Sequence, residues 1–144
     1  MQRSNPWQSY RKVATQTASP GQLVLMLYEG AIRFLEKSLT GFTHEDPLEF
    51  NLTVNNNVLR AQAIICEMNG VLNMEAGGEI STNFRRLYEY LNRRLQEANI
   101  KKQREPIEEV LARLRVLRDS WAEMLQKGQE NAEPETAEAG LQAA

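Results

Sequence analysis

The sequence predicts an all-α protein, an antiparallel up-down four-helix bundle with a flexible N-terminal arm and a disordered, acidic C-terminal tail. Apolar residues recur at alternating steps of three and four in four separate segments of the 144-residue chain. This is the spacing of helices that pack at about 20° to one another. The period-two alternation of strands is nearly absent. Short links between the four segments favour antiparallel neighbours.

Capping residues indicate where the first two helices begin. Ser19 is a suitable N-cap, Pro20 suits the first helical position, and Gln22 completes a capping box. The first helix should end near Leu39. The second start signal is Asp46-Pro47, which again places a capping side chain before a proline.

Glycine, proline and composition indicate the remaining boundaries. The second helix should reach Leu72 or Met74, before the Gly77-Gly78 break. A third helix is expected over about 81–102, starting at Ser81 or Thr82, and a fourth from about 106 to 125.

The domain organisation follows from these boundaries. Residues 1–18 form the predicted arm, residues 19–127 the bundle domain and residues 128–144 the tail. The tail contains glutamate but no lysine or arginine, and it has few large apolar residues that could pack.

The apolar stripes also predict the core. Each stripe should face the other three helices, so its members should be buried. They are Val24, Tyr28, Ala31 and Leu35 in the first helix; Val54, Val58, Ala61, Ile65, Met68 and Leu72 in the second; Phe84, Tyr88, Leu91, Leu95 and Ala98 in the third; and Ile107, Val110, Leu114, Leu117, Trp121 and Met124 in the fourth.

Single cysteine and histidine residues exclude several classes of protein. Cys66 and His44 are each the only residue of their type, which excludes a disulfide framework, a zinc finger and a di-iron bundle. Without a nucleophile–base pair or a metal-ligand cluster, we expect no catalytic residue, metal or cofactor, and no enzymatic activity. Cys66 should be a small buried side chain, and His44 should lie in an exposed loop.

Charge and hydropathy indicate the compartment. No run of about 18 apolar residues is present, and the N-terminus lacks the apolar segment of a signal peptide. The formal net charge is −2, which is unlike that of most nucleic-acid-binding domains. We therefore expect a cytoplasmic protein with no membrane insertion and no nucleic-acid partner.

The chain has more apolar residues than four stripes require. The first helix is apolar almost all round between Leu23 and Tyr28, and other helices carry Ile64, Val71, Leu87, Tyr90, Leu111 and Val116 beside their stripes. The surplus could be covered by the N-terminal arm, by a second copy in a weak homodimer, or by a partner segment in a groove. Alternatively, a central first helix could be buried by its neighbours. Glycines at 30 and 70 inside helices indicate close helix approach or, for Gly30, the floor of a groove.

Basic residues concentrate on the third helix and its exit. Arg86, Tyr90 and Arg93 share a face, with Glu89 and Glu97 nearby. This face is either a solvated strip paired with those glutamates or a surface that attracts an acidic peptide.

Several motifs along the chain resemble one known family. They are Asn5-Pro6, Thr17-Ala18-Ser19-Pro20, Leu27-Tyr28-Glu29-Gly30, Gly77-Gly78-Glu79-Ile80, Leu87-Tyr88 and Leu117-Arg118 with Trp121. Taken in this order and spacing, they resemble the FliS family of flagellar export chaperones, over about residues 5–121.

The resemblance implies a function and a set of contact residues. The family is a helical bundle that binds the C-terminal segment of flagellin in the cytoplasm, prevents premature polymerisation and aids type III export, with the export gate as a further candidate partner. The competing hypothesis is a self-associating structural or adaptor bundle. By resemblance, the client-binding residues are Tyr10, Thr17, Ser19, Pro20, Leu23, Leu27, Tyr28, Ala31, Asn83, Leu87, Tyr90, Leu91 and Asn99. For Tyr28 and Leu91, burial in the core is the alternative.

Overall fold

The protein is built from four helices, labelled here in chain order. The structure is a computed structural model that describes residues 19–75 and 78–143. The helices are α1 (Pro20–Thr40), α2 (Pro47–Glu75), α3 (Gly78–Lys101) and α4 (Arg104–Ala143), and a 3-10 turn, Gly41–Thr43, follows α1. The described ranges contain no strand. The predicted all-α class is confirmed.

Each helix lies antiparallel to two neighbours. Both α2 and α4 contact α1, and the same two helices contact α3, so α1 and α3 are diagonal partners. Asn99, late in α3, donates a hydrogen bond to Asn55, early in α2. Trp121 of α4 donates to the carbonyl oxygen of Gly21, in the first turn of α1. The predicted up-down four-helix bundle is confirmed.

The two predicted capping signals begin helices as expected. The Ser19 hydroxyl accepts a hydrogen bond from the backbone N–H of Gln22 at 3.3 Å. The Asp46 carboxylate accepts one from the backbone N–H of Leu48 at 3.2 Å. Each side chain satisfies a donor that the first helical turn leaves without an intrahelical partner.

The bounds of α3 and α4 differ from the predicted ones. α3 begins at Gly78, where φ is +61°, a conformation that glycine adopts without strain. Ser81 is therefore buried in the first turn rather than acting as the cap. α4 starts at Arg104, and its backbone stays helical past Leu125 to Ala143. Alanine, glutamate and glutamine favour a helix in this segment, whereas Gly128 and Pro134 do not.

The predicted stripes form the core, with two corrections. The stripe members of α1 are all buried, and so are the five described side chains of the α2 stripe. Four of the five in α3 and three of the six in α4 are buried, while Phe84, Leu117 and Trp121 are partly buried. Met124 is 52% exposed. Trp121 and Leu125 both contact Gly21 in the first turn of α1, and Met124 lies on a face of α4 turned away from this contact. Cys66 is exposed rather than buried, because it lies at the outer edge of the α2–α3 contact.

Glycines mark close packing at one position and not at another. A Cβ atom on Gly41 would lie 2.9 Å from Val54 Cγ2, so a side chain there would collide with α2. A Cβ atom on Gly70 would meet nothing within 4 Å. The predicted close helix approach at Gly70 is therefore wrong.

Candidate functional site

An apolar groove runs along the outer surface between α3 and α4. It encloses about 350 Å³ and is lined by Leu87 of α3 and by Ala112, Arg113, Val116 and Leu117 of α4. Val116 is 65% exposed at the wall of this groove, whereas Leu87 and Leu117 are half-buried and pack against the core. The groove is thus a preformed depression whose walls are mostly aliphatic.

A polar network lies at the end of the groove that faces the α3–α4 turn. The Glu109 carboxylate accepts hydrogen bonds from the Tyr90 hydroxyl at 2.6 Å, from Arg94 Nε at 2.8 Å and from Arg113 Nε at 3.1 Å. Arg94 also pairs with Glu97 at 2.8 Å. The Arg113 guanidinium carbon lies 5.5 Å from the centroid of the Tyr90 ring, within cation–π range.

This network fixes the charge state at the groove end. The hydrogen bond from Tyr90 and those from Arg94 and Arg113 lower the pKa of Glu109, so the carboxylate stays ionised at neutral pH. The same Glu109 contact raises the pKa of Tyr90, which therefore stays protonated and donates. With three donors on one carboxylate, the Tyr90 and Arg113 side chains are held in place beside the groove.

A second exposed apolar surface lies on the outer side of α2. Leu48, Leu52 and Leu59 are all exposed there, and Ile100 of α3 is exposed next to Asn99, which hydrogen bonds to α2. Between Asn51 and Leu59 the helix contains no charged residue. Large apolar side chains in an uncharged exposed face are typical of interfaces.

The structure places the predicted site residues in three environments. Tyr10 and Thr17 lie outside the described residues. Ser19 and Pro20 are exposed at the start of α1, and Leu23 is half-buried one turn later.

Four of the predicted contact residues lie in the core. Leu27, Tyr28, Ala31 and Leu91 have at most 1% of their surface exposed. A side chain without accessible surface cannot touch a docked polypeptide while the bundle keeps this conformation. For Tyr28 and Leu91 this placement matches the alternative that the sequence left open.

Four predicted residues of α3 remain accessible, and two of them meet at the groove. Leu87 lines it and Tyr90 lies at its end, while Asn83 is exposed one turn before Leu87. Asn99 lies at the opposite end of α3, where its amide donates to Asn55 at 2.9 Å and its side-chain oxygen accepts from Lys102 at 2.6 Å. Asn99 thus already has partners that hold the C-terminal end of α3.

Sequence reasoning missed the α4 wall as a contact surface. The apolar pattern predicts Leu117 as a core residue and Val116 as surplus apolar, and it makes no prediction for Ala112 or Arg113. The spacing of Ala112 and Val116, one turn apart and outside the core stripe, was the available signal.

The part of the chain that the structure describes contains neither a metal-ligand cluster nor a membrane-spanning helix. In the described ranges, no three histidine, cysteine, aspartate or glutamate side chains are grouped so that they could hold a metal ion. Nor does any described helix combine the length and apolar content needed to cross a membrane. His44 is exposed, as predicted, with Nδ1 3.7 Å from the Glu49 carboxylate.

A helical bundle with a preformed apolar surface groove defines a class of protein that can hold an amphipathic segment of another polypeptide. Comparison with known proteins gives the particular family. Residues 3–128 match the family described as "Flagellar protein FliS". The chain is 35% identical over 122 residues to a protein of Bacillus subtilis named flagellar secretion chaperone FliS, covering 85% of this chain and 87% of that one. The protein of the same name from Salmonella typhimurium is 34% identical over 117 residues, which cover 79% of this chain and 82% of that protein. The chain therefore belongs to the FliS family of flagellar secretion chaperones.

Proposed function

We propose that this chain binds the C-terminal segment of flagellin in the cytoplasm as an amphipathic helix in the α3–α4 groove. Holding this segment prevents premature polymerisation and keeps flagellin available to the export gate. The observation that carries the proposal is the exposed aliphatic groove of Leu87, Val116 and Leu117. Family membership supports an export chaperone, a role that requires binding and no catalysis.

Apolar burial is the driving force available to such a complex. Burying one valine or leucine side chain in the groove stabilises the complex by about 1.5–3 kcal/mol. Ordering a client segment that is disordered when free costs about 2–5 kcal/mol or more. Two or three apolar side chains in the groove thus offset the ordering, and only further contacts yield net affinity. Binding of moderate strength suits a chaperone that must release its client.

Calorimetry with one groove variant and one matched control tests the proposal. A synthetic flagellin C-terminal segment should bind the wild-type chain one to one, with a gain in helical circular dichroism. Val116→Glu places a charge in the groove at an exposed helical position, so the fold should persist and affinity should fall at least about tenfold. Leu48→Glu makes the same kind of change at a residue that is 63% exposed on α2, and it should leave affinity nearly unchanged.

Two results would contradict this proposal. One is the absence of binding to the wild-type chain at micromolar concentrations. The other is a Val116→Glu variant that binds the segment as tightly as Leu48→Glu does, which would place the client elsewhere on the chaperone.

The uncharged outer face of α2 supports a second candidate function, a self-associating bundle. Two copies could bring Leu52 and Leu59 together without like-charge repulsion. Sedimentation at increasing concentration separates the two functions. A tight dimer that excludes the flagellin segment would favour self-association, whereas a monomer or weak dimer that binds the segment favours the chaperone.

A further inference from the structure

Two exposed arginines lie beside the groove on α3. Arg86 is four residues before Tyr90 and Arg93 three residues after it, so the three side chains share one face of the helix. Within the described part of the chain, neither arginine forms an ion pair or hydrogen bond. Of the two glutamates that the sequence offered as partners for this face, Glu97 pairs with Arg94 and Lys101 instead. The predicted pairing with glutamates is therefore not found for Arg86 and Arg93, which are both exposed to solvent.

The carboxylates near this face do not cancel its positive charge. Glu109 is bound by Arg94 and Arg113, and Glu97 is bound by Arg94 and Lys101. Glu89 is exposed between Arg86 and Arg93, and it is one negative charge against two positive ones. The α3 side of the groove therefore keeps a net positive charge.

The α4 side of the groove has no comparable excess of charge. Three of its outward carboxylates have a basic partner nearby: Glu108 pairs with Arg104, Asp119 with Arg118 and Glu123 with Lys127. Glu105, in the first turn of α4, is exposed and adds one negative charge to this side. The groove is thus electrostatically asymmetric, with an unpaired basic strip along one wall only.

We propose that the helix seated in the groove carries two acidic side chains about seven residues apart, on the flank that faces α3. One lies beside Arg86 and the other beside Arg93, which are separated by about 10 Å along the helix axis. This inference rests on the proposed function, and it adds the charge pattern that the client must have. An apolar stripe provides contact with the groove, while the acidic flank fixes the rotation of the client helix about its own axis.

Charge-reversal variants with a matched control test this inference. Arg86→Glu and Arg93→Glu should each weaken binding of the flagellin C-terminal segment about fivefold in about 0.05 M NaCl. Arg85→Glu is the control, because Arg85 is also exposed and without a partner in the described ranges, but is turned about 100° around α3. It should change the dissociation constant less than about twofold. In about 0.5 M NaCl the three variants should converge, because salt screens exposed charges.

A peptide exchange identifies the acidic partners. In the flagellin segment, the two acidic residues that lie about seven positions apart are replaced by their amides. This replacement should weaken binding to the wild-type chain, and Arg86→Glu should then cause little further loss. Helical circular dichroism of each variant checks that the bundle is intact. If the wild-type chain binds the segment and Arg86→Glu and Arg93→Glu lose no more affinity than Arg85→Glu, the inference is wrong while the proposed function stands. If the wild-type chain does not bind the segment, both are contradicted.

Discussion

The hydroxyl groups of Tyr28 and Tyr88 hydrogen bond to each other at 2.7 Å in the centre of the bundle. Tyr28 is on α1 and Tyr88 on α3, so this bond joins the diagonal pair of helices. Both side chains are almost fully buried, and each hydroxyl is the hydrogen-bond partner of the other. The pair therefore links two helices that are not adjacent in the bundle.

Removing one of these hydroxyls should destabilise the bundle more than removing both. Tyr28→Phe leaves the Tyr88 hydroxyl buried without its partner, which costs about 1–3 kcal/mol. The double variant Tyr28→Phe with Tyr88→Phe removes both polar groups and should lie closer to the wild type in free energy of unfolding. Urea denaturation of the wild type, Tyr28→Phe, Tyr88→Phe and the double variant measures the coupling energy between the two hydroxyls. Additive losses from the two single substitutions would show that the hydroxyls do not interact.

The same pair should make the bundle sensitive to alkaline pH. Burial raises the pKa of both tyrosines above the ordinary value of about 10. The native state therefore holds these protons more tightly than the unfolded state, and the stability they contribute is fully present below about pH 10 and falls as the pH rises further. Above about pH 10 each tyrosine should lower the free energy of unfolding by at most about 1.4 kcal/mol per pH unit. Urea denaturation between about pH 8 and pH 11 should show a shallower decline for the double phenylalanine variant, and equal slopes would contradict the assignment.

Two glycine-to-alanine substitutions should act in opposite directions. Gly70 is exposed within α2 and has open space where a Cβ would lie, so Gly70→Ala should stabilise the chain by up to about 1 kcal/mol. At Gly41 the added Cβ would collide with Val54 and Thr53, and Gly41→Ala should destabilise it by about 1–3 kcal/mol. Thermal unfolding of the two variants compares them directly. A stabilised Gly41→Ala would mean that α2 can move away from the turn.

Truncations should separate the arm from the tail. Residues 1–18 precede α1, and the core lies within the four helices, so removing the arm should leave the bundle folded. Its removal should change the affinity for the flagellin segment, because Tyr10 and Thr17 are predicted contact residues. Leu125 still lies against Gly21 in α1, whereas the proposed groove ends well before residue 129. Deleting residues 129–144 should therefore change neither thermal stability nor affinity appreciably. An arm deletion without effect on affinity would remove Tyr10 and Thr17 from the proposed contacts.

Periodicity predicted the bundle because each helix presents one apolar stripe to a common core. The stripe positions Leu91 and Leu114 are buried as expected. The surplus apolar character of α1 has a different explanation from a docked partner, since α1 lies between α2 and α4 and its stripe and flanks are covered or half-covered there. The alternative of a central first helix thus accounts for it.

The groove could not be derived from periodicity, because it depends on how α3 is aligned with α4. Leu87 faces Val116 and Leu117 only in the alignment that the Tyr90–Glu109 and Arg94–Glu109 contacts reveal. A repeat of three and four residues states which face of a helix is apolar, and it leaves the axial shift between two helices undefined. The exposed position of Cys66 was missed for a related reason, since the edge of a stripe is set by where the neighbouring helix ends its contact.

The most direct test of the central claim is an NMR titration with isotope-labelled methyl groups of leucine and valine. Adding the flagellin C-terminal segment should shift the methyl signals of Leu87, Val116 and Leu117, while those of Leu48 and Leu52 on α2 stay in place. A complex that forms with the groove methyls unmoved and the α2 methyls shifted would contradict the proposed site.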